Sequence, residues 1–343
     1  MRTLVHFSLS SGASLGLLAG CGGTALPIDA PGAMPQSRAI AREADRREAW
    51  MFQDVASPEA KHYLYAVDPK NSEVHVYTLA GKHQREIAHI DHLSAAFGIA
   101  TDRAGNLYVS VSARAEVRVY APMTKEPFLT LKDRIGTDVP WGVAVSGTGD
   151  VAVANNISFQ PYRPSHVSFF HAGATRPYAT FTNRTSFALC VWDAYDDAGN
   201  LYVVGQSADG HATLGDILGG GNGRKLRDLH ISGLSRSVGG VEVDAAGDVV
   251  VAQAARLSVF APHSNRLLRT IRYGRGVNAS KGLALTPTGA DFYIANNKLN
   301  PAQLWEYRYP TGGDAINKID VVPQGHPRVV EVSGLAIDPL GPP

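Results

Sequence analysis

An all-β chain folded as a six-bladed propeller is the architecture this sequence predicts, on three observations. The hexapeptide AGNLYV stands at 104–109 and again at 198–203. A polar residue followed three positions later by glycine recurs six times, at Asp102–Gly105, Ser146–Gly149, Asp196–Gly199, Asp244–Gly247, Thr286–Gly289 and Asp338–Gly341. The last of these units stops where its second strand should begin, and a strand that fits the gap lies near the other end of the chain.

The amino terminus is read as an address. Residues 1–21, MRTLVHFSLSSGASLGLLAGC, carry Arg2, a short apolar run and small residues ahead of Cys21, the order of a secretory signal. The run is short for a spanning helix. Leu18-Ala19-Gly20-Cys21 resembles the bacterial lipobox, which implies a signal peptide at 1–20, diacylglycerol on Cys21 and palmitate-type acylation of the new terminus. Lipid chains would hold the protein at a membrane of the cell envelope without crossing it. Residues 21–58 then read as a tether, broken by Pro27, Pro31 and Pro35.

The repeating region occupies 59–341. Ahead of each glycine turn lies a short apolar strand: GIATD, GVAVS, WDAYD, GVEVD, GLALT and GLAID. A second strand follows five of the turns, and a third strand ending in an aromatic residue recurs as EVHVY, EVRVY, HVSFF, RLSVF and QLWEY. In the turn, a short polar side chain caps the backbone and glycine takes positive φ without steric cost. Spacings of 44, 50, 48, 42 and 52 between the glycines suit radial repetition of four-stranded units, which leaves only short sheet edges. GLAIDPLG at 334–341 and YLYAVD at 63–68 then belong to one blade, which takes its first strand from the carboxyl end and three from the amino end.

Composition narrows the partner. Lys and Arg total 32 against 31 Asp and Glu, so nothing points to nucleic acid. Cys21 and Cys190 cannot form a disulfide framework. The glycine-rich GGGNGRK at 219–225 lacks phosphate-loop spacing and reads as a hairpin.

Units of the form GIAxDxxGNLYVxxxxxxxVxVY resemble NHL repeats and the related sugar-lactonase-like propellers over roughly residues 60–341. The resemblance implies a six-bladed ring, and family members include binding platforms, hydrolases and lyases. Relatives of the lactonase kind place Glu, Asn and Asp around a divalent cation in the central channel. Here two acidic residues break the apolar pattern of the inner strands, Asp193 and Glu242. With Asn155 and Asn296 they are the candidate metal ligands, for Ca2+, and His92 or His326 is the candidate base. No other cofactor is expected and no catalytic residue is assigned. Strand alternation gathers Trp141, Asn156, Trp192, Lys281 and Asn297 on the ring face opposite the glycine turns, with Phe97 and Gln206. That face is the candidate ligand surface. The function expected is a lipid-anchored envelope scaffold that binds a protein, peptide or glycan. A metal-dependent hydrolase or lyase is the alternative.

Overall fold

The computed structural model describes residues 62–339, apart from 80–83, 85, 123, 134–137, 157–164, 236–237, 275–276, 278–280 and 322–330. The expected signal peptide and tether, Cys21, His326 and Gly341 lie outside the described residues.

The hexapeptide repeat is a local hydrogen-bonding device. Asp102 Oδ1 accepts from the backbone N–H of Ala104 at 2.8 Å and of Asn106 at 2.9 Å, while Asn106 Nδ2 donates to its Oδ2 at 2.8 Å. Asn200 closes the same contacts onto Asp196, at 2.8 Å from backbone and side chain alike. Gly105 and Gly199 take φ of 78° and 80° between these anchors, a region that a Cβ disfavours.

Among the described residues five glycine turns of this kind each join an inner strand to the second strand of its blade, and the strands form six antiparallel four-stranded sheets. From the axis outward, blade two runs Ala96–Thr101, Leu107–Val111, Glu116–Tyr120 and Leu129–Lys132. Blade three runs Pro140–Val145, Val151–Asn155, His166–Phe170 and Ala179–Thr182. Blade four runs Leu189–Tyr195, Leu201–Gln206, Ala212–Ile217 and the two-residue Arg227–Asp228. Blade five runs Val238–Val243, Val249–Gln253, Arg256–Phe260 and Leu267–Arg272. Blade six runs Leu283–Leu285, Asp291–Asn296, Gln303–Arg308 and Asn317–Asp320. Among the described residues the helical content is two single 3₁₀ turns, Ser112–Arg114 and Gly220–Asn222, the second inside the glycine-rich hairpin.

Blade one joins the two ends of the chain. Leu335–Ile337 is its inner strand, followed outward by Tyr63–Asp68, Glu73–Thr78 and Glu86–Ile90. Leu64 stands opposite Ile337, Tyr65 opposite Ala336 and Ala66 opposite Leu335. Asp338 donates its N–H to Tyr63 O, and Val67 donates to Gly334 O, both at 3.0 Å.

Packing follows from radial geometry. The hydrophobic core divides into clusters between neighbouring blades, for example Ala144, Phe169, Cys190 and Val203 between blades three and four. The gap between radiating sheets widens outward, which explains the rings that end the third strands. Tyr77, Tyr120, Phe170, Phe260 and Tyr307 fill it, each at most 2% exposed, and each stabilises by about 1.5–3 kcal/mol through burial. Near the axis the opposite holds and the sheets crowd. A Cβ on Gly98 would stand 2.0 Å from Trp141 O, and one on Gly334 would stand 2.6 Å from Phe97 O. The glycine that opens GIATD and its counterparts is therefore a spacer between blades. Blade four carries Trp192 there, beside a register shift between Cys190 and Trp192.

Candidate functional site

The glycine turns cover one end of the ring. Loops from second to third strands, and from each outer strand to the next inner strand, cover the other. A cavity of about 190 Å³ lies on the axis, lined by the inner strands and including Thr101, Trp192, Asp193, Glu242 and Lys281. No histidine, cysteine or serine among the described residues lines it.

Asp193 and Glu242 both reach this cavity, but strand alternation sends them apart. Residues that match Asp193 in the inner strand pack toward the preceding blade, as Val143 does against blade two and Val241 against blade four. Residues that match Glu242 pack toward the following blade, as Ala144 does against blade four and Ala194 against blade five. Asp193 accordingly lies over Gly142 of blade three, and the alternation assigns Glu242 to the opposite side of its sheet.

Asp193 is 8% exposed and neither carboxyl oxygen completes a hydrogen bond. Burial pushes it well above the ordinary carboxylate range, and the backbone N–H groups of Ala154 and of Asp193 itself offset only part of that cost. Burial likewise pushes Glu242 up to about 8. The two carboxyls thus share one cavity while rising from opposite sides of their sheets.

The asparagines expected beside them lie elsewhere. Asn155 Nδ2 donates to Asp133 at 3.3 Å and to Ser168 Oγ at 3.4 Å, on the outer side of its strand. Asn296 is 1% exposed and its Oδ1 accepts from the N–H of Lys298 at 3.2 Å. Neither lines the axial cavity. Asn156 is buried and donates its backbone N–H to Val139 O at 2.8 Å. Asn297 clamps the segment that leads into blade one, donating to Val332 O and accepting from Val332 N–H, both at 2.8 Å. His92 stands 94% exposed at 3.4 Å from Asp91, away from the cavity.

The mouth of the axis on the loop face is the better-formed site. The residues entering the inner strands there are Phe97, Trp141, Val191, Gly239, Lys281 and Ser333 in ring order. Phe97 and Trp141 stack at 4.9 Å with 15° between their planes, and both remain half-buried. Ser110 Oγ fixes the strands beneath them: it accepts from Gly98 N–H at 2.7 Å and donates to Trp141 O at 2.8 Å. Across the mouth, Lys281 pairs with Glu331, which Lys70 approaches at 3.4 Å. Burial works against the Glu331 charge, yet Lys281 and Lys70 outweigh it and hold the carboxyl below its usual range. Glu331 and Ser333 were not expected from sequence, because the unit that precedes blade one has no turn signal at that point.

Cys190 is fully buried between blades three and four, and burial pushes its thiol up, which leaves it unreactive.

No protein-family model matches the chain, and no curated protein matches it. Solved structures do. A crystal structure of a nidogen/laminin complex contains a chain 15% identical to this one, with a TM-score of 0.62 over 81% of this chain and 98% of that one. The fold is that of a six-bladed β-propeller. A protein of unknown function from Bacteroides caccae superposes with a TM-score of 0.55 at 14% identity, over 81% of this chain and 99% of the other. At such identities the propeller likeness carries the architecture alone.

Proposed function

We propose that this propeller is a binding scaffold of the bacterial cell envelope, anchored through lipid on Cys21, that engages a protein, peptide or glycan at the loop-face mouth of its axis. The observation that carries the reading is the half-buried Phe97–Trp141 stack, held in place by Ser110, with the Lys281–Glu331–Lys70 group across the mouth. An aromatic face with paired charges on the opposite rim suits a ligand with both apolar and polar surface. A chain of the nidogen/laminin complex has the same architecture, which supports a protein-binding reading.

Photo-crosslinking in intact cells tests it. A photoreactive residue placed at Trp141 is expected to capture a discrete partner, and one placed at Thr148 in a glycine turn is not. Equal capture at both positions, or none at 141, would contradict the reading.

A metal-dependent hydrolase or lyase is the second reading, favoured by Asp193 and Glu242 sharing one cavity. It requires calcium-dependent thermal stabilisation that Glu242→Gln abolishes.

A further inference from the structure

The loop leaving blade two and the third strand of blade three bring together groups that the axial site does not use. Asp133 and Asp138 flank the entry to blade three, and His166 opens its third strand. His166 Nε2 lies 3.4 Å from Asp133 Oδ2 and 3.6 Å from Asp138 Oδ2. Ligand atoms of all three residues fall within 4.8 Å of one another. The side chains are 6%, 9% and 1% exposed for His166, Asp133 and Asp138.

Asp138 is the observation that points to a ligand. Both its oxygens are buried and neither makes a hydrogen bond, although the carboxyl group is aimed at the imidazole. A buried acceptor left in that condition costs about 1–3 kcal/mol, more for a charged one. Asp133, by contrast, is oriented: Ser168 Oγ and Asn155 Nδ2 both donate to its Oδ2.

We propose that Asp133, Asp138 and Nε2 of His166 form a binding site for a divalent cation of the zinc class. The spacing agrees with this. Zinc bound at about 2.0–2.2 Å to nitrogen and oxygen in a tetrahedron sets its ligands about 3.3–3.6 Å apart. The imidazole decides against calcium and magnesium, which take oxygen ligands, and in favour of zinc or a neighbour in the first transition row. Ser168 and Asn155 are positioning residues that hold a ligating carboxylate by hydrogen bonds. The cation would staple the loop between blades two and three to the third strand of blade three. This site is independent of the axial mouth and stands whether or not that surface binds a partner.

The test is calorimetric titration of the metal-stripped full chain with zinc chloride, followed by thermal unfolding. One saturable equivalent and a raised midpoint are expected, with magnesium and calcium giving neither. Asp138→Asn and His166→Gln are expected to abolish the saturable phase, and Ser168→Ala to weaken it by about 10–100-fold. His211→Gln, at an exposed histidine of blade four, is expected to leave zinc affinity unchanged. Absence of a saturable equivalent in the wild type overturns the proposal, as does tighter binding of calcium or wild-type affinity in Asp138→Asn. Should Asp138→Asn fail to fold, the wild-type titration and Ser168→Ala decide the matter.

Discussion

The carboxyl group of Asp193 in blade four rests against Gly142 of blade three, so closely that a Cβ at position 142 would lie 2.5 Å from Asp193 Oδ1 and 2.8 Å from Val191 O. The backbone oxygen cannot yield, and Gly142→Ala is expected to cost about 1–3 kcal/mol by overpacking. Gly199→Ala meets no atom within 4 Å, and its penalty comes from φ of 80° alone. Asparagine tolerates that backbone region. Gly199→Asn should therefore be milder than Gly199→Ala, while Gly142→Asn should be worse than Gly142→Ala. Urea unfolding of the four variants separates the two causes.

The axial carboxyls set a pH dependence. Glu242 holds a proton in the folded state up to about 8, whereas the unfolded chain releases it near 4.5. Over that interval the native state binds more protons, so stability falls as pH rises and levels off above it. The slope from this group is at most about 1.4 kcal/mol per pH unit. Glu242→Gln should flatten the slope between pH 5 and 8 (roughly the interval between the two ionisations), and Asp193→Asn should stabilise at neutral pH but not under acid conditions. Denaturant midpoints across this range check both.

His75 works in the opposite chemical sense with a related outcome. It is fully buried, with Glu86 at 3.0 Å, Glu73 at 3.8 Å and Asp68 at 3.9 Å. Burial pulls the imidazole down, but Asp68 and Glu86 overcome it and hold the group up at about 9. Its contribution is complete below the unfolded value of 6.5 and is lost as pH rises through about 9. His75→Gln leaves buried carboxylates facing one another and should cost about 3–5 kcal/mol at pH 6. The difference from wild type should narrow toward pH 10 (about one unit above the folded-state ionisation). A constant difference across that range would refute the charged state.

Cys21→Ser is expected to release the chain from the membrane fraction and to stop incorporation of labelled palmitate. Fractionation of cells expressing each form measures this directly.

Features of the fold that depend on neighbours in sequence were legible. Asp102, Gly105 and Asn106 cooperate within five positions, and their copies announce the blades. The purpose of Gly98 and Gly142 was not legible, because it lies in the backbone of the adjacent blade. Asn155 ends the second strand of blade three, and its side chain turns outward to Asp133 rather than to the axis, a choice made by the strand's alternation and by Ser168. The Asp133–Asp138–His166 group escaped notice because its members join across a blade junction. Their sequence spacing matches no known metal motif.

The pairing of the two chain ends is what completes the ring, and it can be measured as a covalent bond. Leu64 and Ile337 face each other in antiparallel register, between the hydrogen-bonded pairs on either side, a position whose Cα separation of about 4.5 Å falls within disulfide range. In the double variant Leu64→Cys with Ile337→Cys, oxidation of the folded protein should join the two residues, shown by the linked peptide in mass spectrometry. Placing the second cysteine at Ala194, in blade four, should give no link. A native protein that fails to join 64 to 337, or joins 64 to 194 as readily, would contradict the closed ring.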